Sequence, residues 1–229
     1  MSRALKALSV LLGYPSAELQ GHIAEVREAL AQLPAPARAR LTPLLDMMAR
    51  DDLLDLQSAY SELFDRSRSL SLHLFEHVHG DNRDRGQAMI DLGQQYASAG
   101  FLLEGNDLPD FVPVFLEYAA CLPPAEARET LAQPAHVFAA LAERLDKRES
   151  AYAGIFHAVL ALADAAPGRE EIAEIDANTP EDDPARIDEE WEEAPVTFLA
   201  SAAHDMGGPT GFVAKIRAGN RPVTQEKAK

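Results

Sequence analysis

Apolar residues recur three and four positions apart from Leu5 to Ala166, the spacing of one face of an α-helix. Leu5, Leu8, Leu11 and Leu12 predict a first helix. Gly13-Tyr14-Pro15 ends it, and Ser16 can cap the next. Leu19, Ile23, Val26 and Leu30 form one stripe of a second helix, broken by Pro34 and Pro36. Leu41, Leu44, Leu45 and Met48 predict a third. Asp51 or Asp52 can cap a fourth, which carries Leu53, Leu56, Tyr60, Leu63 and Phe64. The segment from Ser67 to Val78 has no proline or glycine and reads as more helix. Its apolar positions 70, 72, 74, 75 and 78 partly alternate, so a strand is the competing reading. No second strand is visible for it to pair with, and helix is preferred. HGDNRDRG is the clearest loop of the first half. Ala88, Met89, Leu92 and Tyr96 then form another helical stripe, which Gly100 closes. Asp107-Leu108-Pro109 predicts the start of a helix running through Val114, Phe115 and Tyr118. Pro123-Pro124 interrupts, and a short helix follows near Ala125 to Leu131. Val137, Phe138, Leu141 and Leu145, then Tyr152, Ile155, Phe156, Val159 and Leu162, continue the helical pattern. The DKRES stretch between them is either a helix–helix corner or the exposed face of one long helix.

The pattern changes at Pro167-Gly168. From Arg169 to Glu193 there are twelve acidic and two basic residues, a local charge of −10. The remainder to Lys229 is rich in Gly, Pro and Ala. Such sequence buries too little apolar surface to offset chain entropy. The expected organisation is an all-α domain over residues 1–168 and an acidic, then Gly/Pro-rich, largely disordered tail over 169–229. Trp191 and Phe198 stand out in that tail, because isolated aromatics in polar sequence often dock onto something.

Composition agrees with helix. Alanine and leucine are abundant, and aromatics are only 7%, a bias against sheet. The net charge of −16 repels phosphate backbones and anionic membrane surfaces, which argues against a nucleic-acid partner. A basic peptide is an easier partner. The single cysteine, Cys121, allows no intramolecular disulfide and fits a reducing cytoplasm. The apolar run Ala7–Leu12 is too short for a membrane span and has no small-residue cleavage site. It reads as core helix, with no integral membrane segment expected elsewhere.

The densest polar cluster is LFEHVHGDNRDRGQAM. It carries Glu76, His77, His79, Asp81, Arg83, Asp84, Arg85 and Gln87 within twelve positions. Three chemistries compete for it. His73-Leu74-Phe75-Glu76-His77 matches an H-x-x-E-H zinc-hydrolase pattern, with the two histidines four apart on a helix face. No second motif supplies the remaining ligand, so no metal is expected. His77, His79 and Asp84 could work as acid and base at neutral pH. They lack a nucleophile, since there is no G-x-S-x-G, no P-loop and no G-x-G-x-x-G. No enzymatic activity and no catalytic residue are expected. The third possibility is a helix-ending loop, in which Glu76 and Asp84 pair with Arg83 or Arg85 and the histidines cap carbonyls.

Several motifs resemble the nitrate reductase delta-subunit chaperones of the NarJ type. They are Tyr60-Ser61-Glu62-Leu63-Phe64-Asp65-Arg66, Leu70-Ser71-Leu72, LFEHVHG and RDRGQAM. Leu108-Pro109-Asp110, Leu116-Glu117-Tyr118, Arg148-Glu149-Ser150 with Tyr152, and Trp191-Glu192-Glu193 with Val196 and Phe198 extend the resemblance from about Leu8 to Phe198. These proteins belong with the TorD-like redox-enzyme maturation chaperones, which are all-helical. The resemblance implies binding to the N-terminal segment of the catalytic (alpha) subunit of respiratory nitrate reductase. It also implies holding that subunit while bis-molybdopterin guanine dinucleotide is inserted, with no cofactor tightly bound to the chaperone itself. A chaperone of the same fold for another molybdoenzyme is the neighbouring possibility. A helix-in-groove site needs apolar pockets and a polar rim. Phe64, Leu74, Phe75, Phe115 and Tyr118 can supply the pockets. Glu62, Glu76, Asp84 and Glu117 can meet a basic peptide. The expected partner-binding residues are Tyr60, Phe64, Phe75, Glu76, His77, His79, Asp84, Arg85, Gln87, Glu117 and Tyr118.

Overall fold

The computed structural model describes residues 1–66, 68–79, 84–103 and 107–178. Helix α1 (Ser2–Leu12) buries the predicted leucines. The Ser16 hydroxyl accepts the Leu19 N–H at 3.1 Å and opens α2 (Ala17–Gly21). The expected second helix is in fact two. His22 leaves helical geometry (φ −111°, ψ 15°) and separates α2 from α3 (Ile23–Leu30). Its Nδ1 bonds the Glu18 carbonyl at 2.8 Å, a terminating contact that periodicity does not reveal. The stripe survives the break, and Leu19, Ile23, Val26 and Leu30 are all buried. Pro36 lies in the first turn of α4 (Ala35–Arg50), where its missing N–H costs nothing. It starts that helix after Pro34 has ended the preceding stretch. The Asp52 carboxylate accepts the Leu54 N–H at 2.9 Å and caps α5 (Leu53–Phe64).

The next stretch departs most from expectation. Arg68–Leu70 is a single 3-10 turn. Extended chain follows, with one isolated antiparallel bridge between His73 and Phe111. Helix resumes only at α6 (Leu74–His79). The alternation at 70, 72 and 74 therefore reflects a locally extended segment, but its partner is too short to read as a strand. Helix α7 (Asp84–Ser98) begins inside the expected loop, and residues 80–83 lie outside the described ones. Gly100 takes φ +78°, the left-handed geometry that glycine tolerates at a helix end.

Helix α8 (Val112–Cys121) starts later than Asp107-Leu108-Pro109 suggests, because Asp110 is committed elsewhere, as described below. α9 (Pro124–Ala132), α10 (Ala135–Lys147) and α11 (Ala153–Ala163) follow. DKRES is a corner between α10 and α11, turned through Glu149 at φ +53°. α11 is apolar on every side and is the central helix of the body, packed on α1, α4, α9 and α10. α1 lies along α8. The Ser9 hydroxyl donates to the Pro113 carbonyl at 2.7 Å across that contact.

The helical body continues past residue 168, where composition placed its end. α12 (Arg169–Asn178) packs on α10 and α6 and buries Ile172 and Ile175. Arg144, on α10, bonds the Asp176 carboxylate at 2.7 Å and the Ser69 carbonyl at 2.7 Å. Two isoleucines on one face and ion pairs to α10 dock this helix, yet two apolar positions are too sparse to register within an acidic run. The tail beyond 178, with Trp191 and Phe198, lies outside the described residues. No helix among the described residues is long and apolar enough to cross a membrane.

Candidate functional site

The polar cluster is organised around a residue outside it. Asp110 is fully buried. Its backbone carbonyl accepts the Leu74 N–H at 3.0 Å, and its Oδ2 accepts the Phe75 N–H at 3.1 Å. Those are the first two amides of α6, so Asp110 caps that helix from across the fold. Its Oδ1 lies 3.1 Å from His73 Nδ1. A carboxylate only accepts, so the ring nitrogen carries the proton. This bond raises His73 above its ordinary value, against the lowering effect of its burial.

His77 is 2% exposed. Its Nε2–H donates to the Ser71 carbonyl at 2.8 Å. Burial pushes its pKa down, and this outweighs the hydrogen bond. Glu76 accepts from Arg85 at 3.0 Å, which joins α6 to α7. Burial pushes its carboxyl up, but the Ser71 hydroxyl and the Arg85 guanidinium hold it below the usual range. The histidine-capped, charge-paired loop weighed from sequence thus describes Glu76, His77 and Arg85 well.

The same contacts overturn the zinc reading. His73 precedes α6 and is not on its face, so helical spacing does not align it with His77. His73 is engaged by Asp110, His77 by a carbonyl and Glu76 by an arginine. No group of three metal-ligating side chains exists among the described residues.

Above this foundation lies a cleft of about 380 Å³. α6 contributes Leu74, Phe75 and Val78, and α7 contributes Ala88, Asp91, Leu92 and Gln95. Phe115 of α8 and the Gln133-Pro134-His136 joint close it. The lining is mostly apolar with a few polar groups at the rim, the usual character of a binding groove. α7 is an unusual wall, because Tyr96 is its one buried residue. Tyr96 stacks on Tyr118 with centroids 4.3 Å apart, and its hydroxyl donates to the Pro109 carbonyl at 2.7 Å.

The structure sorts the residues expected to bind a partner. Phe75 lines the cleft, and His79 packs on it with centroids 5.6 Å apart. Glu76, His77 and Arg85 hold the walls. Asp84 and Gln87 are exposed on α7, where Gln87 bonds Asp91 at 2.8 Å. Tyr60 and Phe64 are buried elsewhere, against Tyr152, and the Tyr60 hydroxyl donates to the Leu12 carbonyl. Tyr118 is buried beneath α7, and Glu117 borders a different hollow. Sequence reasoning missed Val78, Asp91, Leu92, Gln95 and His136 as lining, and Asp110 as the keystone. Positions 88, 91, 92 and 95 do share a helical face, which was the available signal.

The nitrate reductase delta subunit family model matches residues 30–158. The nitrate reductase molybdenum cofactor assembly chaperone NarJ of Escherichia coli K12 is 46% identical over 200 residues, covering 86% of this chain and 85% of that one. This chain belongs to the nitrate reductase delta subunit family. The probable assembly chaperone NarW of the same organism is 39% identical over 200 residues, covering 87% and 85% of the two chains. A solved structure of a putative redox enzyme maturation protein from Archaeoglobus fulgidus superposes with TM-score 0.55 at 20% identity, over 72% of this chain and 94% of that one. That likeness shows a shared helical fold. The family match runs from α3 to α11 and so contains the whole cleft.

Proposed function

We propose that this protein is an assembly chaperone for nitrate reductase and is not itself an enzyme. In this reading it works in the cytoplasm and binds the N-terminal segment of the catalytic (alpha) subunit in the α6–α7 cleft. It holds that subunit while bis-molybdopterin guanine dinucleotide is inserted, and it keeps none of the cofactor. The single observation that carries the site assignment is the apolar cleft, with one wall, α7, anchored through one buried residue. A wall held so lightly can adjust to an incoming helix, and Phe75, Leu92 and Phe115 offer places for its apolar anchors. The relatives named as cofactor assembly chaperones support the choice of client.

The test is a calorimetric titration with the N-terminal peptide of the catalytic subunit. Val78 is 42% exposed, so Val78→Glu leaves folding intact while placing a charge at the cleft. It should weaken binding about tenfold with an unchanged melting temperature. Unchanged affinity in that variant would move the site elsewhere. Failure of the wild-type protein to bind the peptide would reject the reading.

A further inference from the structure

A second surface lies where α7 hands over to α8. Phe101, Leu102, Leu103 and Val114 wall a hollow of about 240 Å³, and Asp107 and Glu117 edge it. It shares no lining residue with the cleft. Leu102 is 76% exposed and Leu103 36%, and neighbouring Leu108 is 44% exposed. Leu102 and Leu103 form an exposed apolar edge of the hollow, and apolar surface rimmed by polar residues marks interaction sites.

These side chains are held out by a built framework. The Phe101 N–H donates to the Tyr96 carbonyl at 2.9 Å, and its ring packs on Tyr96 and Tyr118. Pro109 is pinned by the Tyr96 hydroxyl, and Asp110 by α6. The hollow is smaller than the roughly 300 Å³ at which small-molecule sites begin. It suits an anchoring side chain of a peptide.

Charge identifies the peptide. Between Arg85 and Arg128 the chain carries six acidic residues and no lysine, arginine or histidine. Among the described residues neither Asp107 nor Glu117 has an ion-pair partner. A hollow of mixed lining, with Phe101, Leu102, Leu103 and Val114 beside the Asp107 and Glu117 carboxylates, attracts a cationic segment with an apolar side chain and repels anionic lipid and nucleic acid. We propose that this hollow is a second docking surface, which takes a short cationic, leucine-bearing segment of a protein partner. The proposal goes beyond the cleft reading and does not rest on it.

The test uses the full chain and a short fluorescent peptide of alternating lysine and leucine, followed by anisotropy. Glu117→Lys should weaken binding about tenfold, and Leu102→Ser about threefold. Both positions are exposed, so the fold is preserved. Glu25→Lys, on exposed α3, makes the same change in net charge and should leave binding within about twofold. Val78→Glu, in the cleft, should also leave it unchanged. Equal losses in Glu25→Lys and Glu117→Lys would reduce the effect to overall charge and overturn the proposal. So would equal binding of a glutamate–leucine peptide, no binding by the wild-type protein, or loss of binding in Val78→Glu. The cleft titration with the client peptide is read separately, so either surface can fail without the other.

Discussion

Helices α11 and α7 are similar in length and opposite in how they are held. α11 buries seven of its eleven residues, and α7 buries one of fifteen. α11 packs so closely on α4 that Gly154 has no room for a side chain, since a Cβ there would collide with the backbone carbonyl of Arg40. α7 instead is held by the buried Tyr96, by half-buried Leu92 and by polar contacts such as the Arg85–Glu76 pair. Stability in a protein is not uniform, and segments with few buried contacts open at lower cost than the core. The comparison teaches that burial is concentrated in α11 and sparse in α7, so that on the reading proposed above the molecule separates the work of staying folded from the work of receiving a partner.

The largest expected effects fall on α11. Phe156 is fully buried and packs towards Phe138. Phe156→Ala should cost about 4 kcal/mol of global stability, and Gly154→Ala about 3 kcal/mol by forcing α4 and α11 apart. At this chain length each kcal/mol lowers the melting temperature by roughly 2–4 °C. Thermal unfolding of both variants checks this. A melting temperature unchanged by Gly154→Ala would show that the α4–α11 contact is softer than its geometry says.

The matched change on α7 should behave differently. Tyr96→Ala also deletes a fully buried aromatic, but it should lower global stability by only about 2 kcal/mol, because α7 can detach while the body persists. Hydrogen exchange would show residues 84–98 losing protection while 153–163 keep theirs. If both segments lose protection together, α7 is part of the cooperative core and the contrast fails.

Reading these two helices from sequence shows where periodicity stops being informative. The α11 stripe was legible because nearly every apolar residue on it is buried. On α7, Met89, Leu92 and Tyr96 have the same spacing, yet only Tyr96 is fully buried, while Leu92 is half-buried against the core and also lines the cleft. Helical spacing records a shared face and is silent on what that face meets. Tyr60 and Phe64, expected to bind a partner, are buried against Tyr152, which gives the motif they share with the family a packing reason. Asp110 was hidden for another reason. A cap is normally sought just before its helix, and this one lies 35 positions past the amide that its carboxylate receives.

A smaller effect is expected at the α6–α7 tie. The Arg85 and Glu76 side chains are 25% and 35% exposed, so water screens much of their attraction and the pair contributes about 0.5–1 kcal/mol. Arg85→Ala should leave the melting temperature nearly unchanged and speed exchange in the first turns of α7. Peptide affinity should fall about threefold, since one end of the cleft wall is released. An affinity loss as large as that of Val78→Glu would mean that Arg85 touches the peptide directly.

The smallest effect is a dependence on pH, and it tests whether the foothold of α6 belongs to the stable body or to the loose wall. The two histidines there are shifted in opposite directions from an ordinary value of 6.5. His73 is raised by its bond to Asp110, with Glu76 adding to the shift and Arg85 opposing it. The stability it contributes is fully present below about pH 6.5 and is lost as pH rises through its folded value. His77 is lowered by burial, with Arg144 adding to the shift and the Ser71 carbonyl, Glu76 and Asp110 opposing it. The unfolded chain takes up this proton first on acidification, so stability falls as pH drops below about 6.5. The α6 foothold should therefore be firmest near pH 6.5 and weaken on both sides. Melting curves between about pH 5 and 8 should show a shallow maximum there. His73→Gln should flatten the alkaline limb, and His77→Gln the acid limb. Hydrogen exchange decides where the lost stability resides. If exchange in 74–79 follows pH while 153–163 does not, α6 opens with the wall it supports. If both follow pH in parallel, Asp110 has tied α6 into the body, and the boundary between the two regions runs between α6 and α7.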